Sequence, residues 1–117
     1  MDTSTAVTAL AALAQDTRLK VFRLLIEEGP EGLPATEIAE RAGVRPNLMS
    51  AHLAALSNSG LTTSRRDGRR IIHAVDVDAV RALLSFLVQD CCRGHADACA
   101  SLLEEILPLA EKRCEPA

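Results

Sequence analysis

The tightest constraint lies between residues 35 and 75. Two short apolar-periodic stretches, each closed by a glycine, run directly into two alternating segments hinged at Asp67-Gly68. Ala35 to Ala42 predicts a helix with Ile38 and Ala39 inward, ended by Gly43. After a tight turn at Val44-Arg45, Pro46 suits a first helical position and opens a helix to Ser59. Leu48 or Met49, Leu53 and Leu56 then face a core, and Gly60 terminates the element. Leu61 to Arg66 and Arg69 to Val75 read as strands joined by a two-residue turn at Asp67-Gly68, whose twist fits paired strands.

Helices flank this segment on both sides. Thr5 to Ala14 predicts a first helix. Asp16 is a suitable N-cap for a second, with Leu19, Phe22 and Leu25 or Ile26 on one face and Gly29-Pro30 as its stop. Glu31 to Pro34 reads as a loop. Asp76 or Asp78 starts a fifth helix that carries Val80, Leu83, Leu84, Leu87 and Val88 and runs to Cys91-Cys92. Gly94 breaks it, Asp97 caps a sixth helix with Leu102, Leu103, Ile106 and Leu107 on its apolar side, and the tail after Arg113 frays. With 117 residues and two aromatics, Phe22 and Phe86, the expectation is one domain with a thin aliphatic core to which a partner subunit adds burial. No run of about 18 uncharged apolar residues predicts a membrane span. The first residues lack the basic start and cleavage site of a secretory signal. The expected location is therefore a reducing cytosol, where cysteines serve metal binding or redox chemistry more often than structural disulfides.

The net charge of −3 hides a segregation. Residues 41–73 hold Arg41, Arg45, Arg65, Arg66, Arg69 and Arg70 against Asp67 alone, while acidic groups outnumber basic ones on either side. Two short helices joined by a glycine turn and followed by a basic hairpin give the order of a winged helix-turn-helix, mainly α with a small β-hairpin wing. The second helix of such a pair meets the major groove with its N-terminal residues, here Arg45, Pro46, Asn47, Leu48 and Ser50, with Ala51 and His52 a turn along. Asn47 and Ser50 can bond base edges or phosphates, and Arg45 a phosphate or guanine. Arg65, Arg66, Arg69 and Arg70 at the hairpin tip can follow the backbone or enter the minor groove of double-stranded DNA.

Three pieces of the sequence carry a resemblance. Ala9-Leu10-Ala11 with Asp16-Thr17-Arg18-Leu19, Ser50-Ala51-His52-Leu53-Ala54-Ala55-Leu56 with Ser59-Gly60-Leu61, and Arg65-Arg66-Asp67-Gly68-Arg69 together resemble the opening, recognition helix and wing of the ArsR/SmtB family of repressors. The match spans about Ala9 to Val75. It implies a single domain over 1–117 that forms a homodimer through its first and last helices (1–15 and 76–113), with the helix-turn-helix at 35–59 and the wing at 61–75, repressing a metal-resistance operon. Two departures stand out. Arg45 occupies the place of the family's Ser or Thr helix cap, and no cysteine lies on Gly32 to Ile38, where many members hold their metal pair.

All four cysteines lie late, at Cys91, Cys92, Cys99 and Cys114. The run Asp90 to Cys99 resembles the C-terminal site of a subset of arsenic repressors. Its chemistry agrees: thiolates select soft ions, and a turn at Gly94 can fold Cys99 back over Cys91 and Cys92. Three sulfurs suit pyramidal As(III), or Sb(III), as the inducer, with no organic cofactor. His95, Asp97 or Cys114 can supply a fourth ligand, which leaves zinc or cadmium open. Adjacent thiols also permit a redox or persulfide sensor on the same fold. An enzyme is not expected, because there is no Cys-x-x-Cys beside a βαβ unit, no phosphate loop and no nucleophile–base pair.

Overall fold

Side-chain caps and apolar phase decide where each element begins and which way it faces. The computed structural model describes residues 1–88. Asp2 accepts the Thr5 amide at 2.8 Å and starts α1 (Thr3–Leu13). Ala6, Ala9 and Ala12 form its buried stripe, and their small side chains let the helix lie close to its neighbours. The cap of α2 (Asp16–Glu28) is Gln15, whose side-chain oxygen accepts the Arg18 amide at 2.8 Å. Asp16 is the first helical residue rather than the cap expected from its type. The inward face also differs: Val21 and Leu25 are fully buried, Phe22 is half-buried, and Leu19 and Ile26 face solvent. Apolar residues crowd this helix at 19, 21, 22, 24, 25 and 26, so two stripes compete and packing chooses between them.

The segment expected as a loop after α2 contains β1 (Leu33–Pro34). It pairs antiparallel with β3 (Arg70–Val75), which in turn pairs with β2 (Thr62–Asp67), giving a three-stranded sheet in the order β1-β3-β2. The wing is thus a hairpin with a third strand on its inner edge. Asp67 pairs with Arg70, so the two turn residues are Gly68 and Arg69, one position later than Asp67-Gly68. Gly68 has φ 65° and takes the first turn position, where primed hairpin turns need positive φ.

Between β1 and β2 lie α3 (Ala35–Ala42) and α4 (Pro46–Asn58), closed by Gly43 and Ser59-Gly60. Ile38 and Ala39 of α3 and Met49, Leu53 and Leu56 of α4 are buried together with Val21, Leu25, Leu33 and Val75. After β3, Asp76 accepts the Ala79 amide at 3.1 Å and caps α5 (Val77–Val88), which settles the choice between Asp76 and Asp78. Of its expected inward residues, Leu83 is buried and Val80 half-buried, whereas Leu84 and Leu87 are exposed. The architecture is a winged helix-turn-helix. Among the described residues no helix is long and apolar enough to cross a membrane.

Candidate nucleic-acid interface

The buried Met49, Leu53 and Leu56 recur at i, i+4 and i+7 and fix the phase of α4. That phase turns Arg45, Pro46, Asn47, Leu48, Ser50 and Ala51 to solvent, with His52 half-buried at the flank. Sequence periodicity left Leu48 and Met49 as equivalent candidates for the core. The structure chooses Met49, and Leu48 is 54% exposed. The spacing of Met49 from Leu53 and Leu56 was the signal that separates them.

Arg45 stands at the N-cap position and makes no side-chain cap hydrogen bond. Pro46 has no amide hydrogen, and no side chain of the cap residue covers the following amides. The helix start therefore keeps its partial positive charge beside an exposed guanidinium, a setting suited to a phosphate. The Ser50 hydroxyl donates to the Pro46 carbonyl at 3.1 Å, so its proton is used inside the helix and its lone pairs remain as acceptors.

The four wing arginines divide. Arg65 donates to the Glu31 carbonyl at 2.8 Å and fastens the wing to the segment before β1. Arg70 lies 3.8 Å from Asp67 in an exposed ion pair, which costs little to open. Arg66 and Arg69 form no salt bridge or side-chain hydrogen bond among the described residues. Beside the wing an open groove of about 450 Å³ is lined by Glu31, Glu37 and Asp67 as well as Arg65 and Arg70, three acids against two cations, so it offers no excess positive charge. Arg41, counted with the basic segment, is taken up by Glu37 at 3.1 Å and Glu28 at 3.4 Å. Within the basic segment 41–73, the cations left for a polyanion are Arg45, Arg66 and Arg69, with Arg70 close behind.

The thiol site expected at Cys91, Cys92 and Cys99, the flanking His95, Asp97 and Cys114, and the sixth helix lie outside the described residues.

Comparison with known proteins agrees with the fold. The helix-turn-helix domain family covers residues 13–65. The HTH-type transcriptional regulator YgaV of Escherichia coli is 32% identical over 82 residues, spanning 70% of this chain and 81% of its own. The chain belongs to the ArsR/SmtB-type transcriptional regulators. The homodimeric winged helix-turn-helix domain Mb0332 of Mycobacterium bovis, a possible ArsR-family regulator, superposes with a TM-score of 0.59 at 28% identity, covering 79% of this chain and 85% of that one. The transcriptional activator HlyU of Vibrio cholerae is 26% identical over 90 residues, spanning 77% of this chain and 81% of its own. Its reduced form superposes with a TM-score of 0.60, covering 76% and 90% of the two chains. These ArsR/SmtB-type relatives are regulators of transcription rather than enzymes.

Proposed function

We propose that this chain is an arsenite-responsive repressor: a homodimer that holds operator DNA and releases it when As(III), or Sb(III), is captured by the thiolates of Cys91, Cys92 and Cys99. One observation carries the DNA half. Arg45 and Asn47 on the uncapped start of α4, and Arg66 and Arg69 on the wing, face solvent without partners among the described residues. Two such heads in one dimer suit a near-palindromic site with half-sites one helical turn apart. Dimerisation is supported by apolar side chains left outside on α1 and α5, Val7 at 57%, Leu10 at 41% and Leu84 at 58% exposure, and by the homodimeric state of Mb0332.

The sensing half rests on donor chemistry. Three thiols within Cys91 to Cys99 form a soft set suited to a pyramidal trivalent ion, and a reducing cytosol keeps them available. When bound, the ion supplies a crosslink among these thiols. If the linked state disfavours the DNA-bound dimer, linkage requires release, with a typical coupling of about 1–3 kcal/mol.

Gel shifts across an arsenite titration test both halves. Arsenite should abolish the shifted band of the native chain, while Cys99→Ser should keep it at every dose. A normal arsenite response in Cys99→Ser removes the three-sulfur site. Arg66→Ala should weaken binding to all sequences alike and lower the salt slope by about one. The adjacency of Cys91 and Cys92 supports a second reading, a redox or persulfide sensor. Release by oxidant or sulfide, with none by arsenite, selects it, and release by zinc or cadmium alone selects a four-ligand metal sensor. Because HlyU is an activator, transcription from the bound promoter decides the sign of regulation.

A further inference from the structure

The outward face of α4 has an unusual chemistry for a DNA reader. At about 100° per residue, the side opposite Met49, Leu53 and Leu56 centres on Asn47 and Ala51, with Leu48 and Ser50 at its margins. All four are exposed. Ser50 has committed its hydroxyl proton to the Pro46 carbonyl, and Pro46 has no amide to give. Ala54 and Asn58 continue this face towards the helix C-terminus, and in its first two turns the side-chain donor left is the Asn47 amide. The remainder is alkyl, from Leu48 and Ala51.

Among base edges in the major groove, the alkyl feature is the 5-methyl of thymine, and the natural bidentate partner of an asparagine amide is adenine. One exposed leucine beside Ala51 is too small a patch for a protein partner. Beside an uncapped helix start and the exposed Arg45, it fits a polyanion that offers an apolar point. We infer that Leu48 is a specificity-determining residue that seats against the 5-methyl group of one thymine in each half-site, with Asn47 directed to an adjacent A·T pair. The inference rests on the DNA-binding reading above.

The test uses the full chain and a pool of random duplexes. After selection, each thymine of the enriched site is replaced in turn by deoxyuridine, which removes the methyl group and keeps pairing. At one thymine per half-site the swap should weaken binding by about fourfold, the size expected for one methyl group returned to water. Leu48→Ala, a surface change checked for fold by circular dichroism, should bind the thymine and uracil duplexes equally. Wild-type binding that ignores the swap at every thymine overturns the inference and leaves the DNA-binding reading in place. So does a Leu48→Ala protein that keeps the full methyl preference. If no duplex is enriched at all, the DNA-binding reading itself falls.

Discussion

The described residues form two apolar cores, and they are built on different terms. The larger one joins Ala12, Val21, Leu25, Leu33, Ile38, Ala39, Met49, Leu53, Leu56 and Val75, mostly large or branched side chains, drawn from α1, α2, β1, α3, α4 and β3, with Leu13, Phe22 and Val80 among those at its margins. The smaller one joins Ala6, Ala9, Leu61 and Leu83, with Leu13, Phe22, Val80 and Phe86 at its margins. Around the larger core Leu19, Ile26, Leu48 and Ile71 reach solvent singly, from α2, α4 and β3. Around the smaller one, α1 and α5 leave Val7, Leu10 and Leu84 in solvent. The ten buried side chains of the larger core come from a single chain, whereas the α1 and α5 side leaves exposed the apolar side chains through which the proposed dimer would join. In the proposed dimer the first would carry the reading head and the second would join two such heads.

The largest expected effect separates these cores directly. Leu56→Ala removes a fully buried side chain and should cost about 2–5 kcal/mol in chemical denaturation. Since a domain of this kind has about 5–15 kcal/mol in total, the variant should be visibly less stable at 37 °C. Leu84→Glu, by contrast, should fold but shift the protein towards monomer in sedimentation, and should lose the concentration dependence of Tm that a dimer shows. A mild Leu56→Ala, or a Leu84→Glu that sediments as the native chain does, would erase the distinction.

The next effect tests how the wing is fixed to the larger core. Gly32 has φ 72°, and a Cβ there would collide with the His73 carbonyl of the central strand. Gly32→Ala should cost about 1–3 kcal/mol through strained backbone alone, with amide exchange rising first at the β1–β3 pairing. Uniform exchange across both cores would show that β1 is not a local attachment.

These contrasts also show what the sequence could and could not convey. The helix pair, its glycine stops, the hairpin and the basic segment were legible because each rests on local chemistry: phase, capping and turn residues. The inward face of α2 was legible in part: Phe22 and Leu25 were read inward and pack there, but Leu19 and Ile26 fit a helical stripe as well as Val21 does, and only packing decides among them. β1 was hidden because two residues carry no periodicity. Its one signal was Gly32 ahead of Leu33-Pro34, which is a mark of close backbone approach as well as of a loop. The role of Arg65 was hidden for a related reason, because its partner, the Glu31 carbonyl, is distant in sequence; the pairing of Arg41 with Glu37, four residues earlier on α3, was legible, and only its second partner Glu28 was not.

A smaller effect concerns the joint between head and outer helices. Asp76 caps α5 where β3 ends. Asp76→Ala should cost about 1 kcal/mol and fray the first turn of α5, seen as faster exchange at Ala79. If the loss falls on α4 instead, the two cores are more tightly coupled than their composition indicates.

The smallest effect is a shallow dependence on pH set in the wall of the larger core. His73 lies on the central strand, opposite Leu33 on one side and Ser64 on the other. Its Nδ1 is buried without a partner, and burial holds its pKa below the ordinary histidine value. The folded chain therefore favours neutral imidazole, while the unfolded chain takes up a proton near about 6.5. Between that value and the lower folded one, the unfolded state binds more protons, so stability rises with pH through this window and is lost on acidification. Above it the contribution is constant. Carboxylates and other histidines titrate too, so the informative quantity is the difference between the native chain and His73→Gln. The denaturation midpoint should fall less steeply from pH 7 to pH 5.5 in the variant. Parallel curves would mean that the strand accommodates the charged ring, and that the larger core is open to water at its sheet edge.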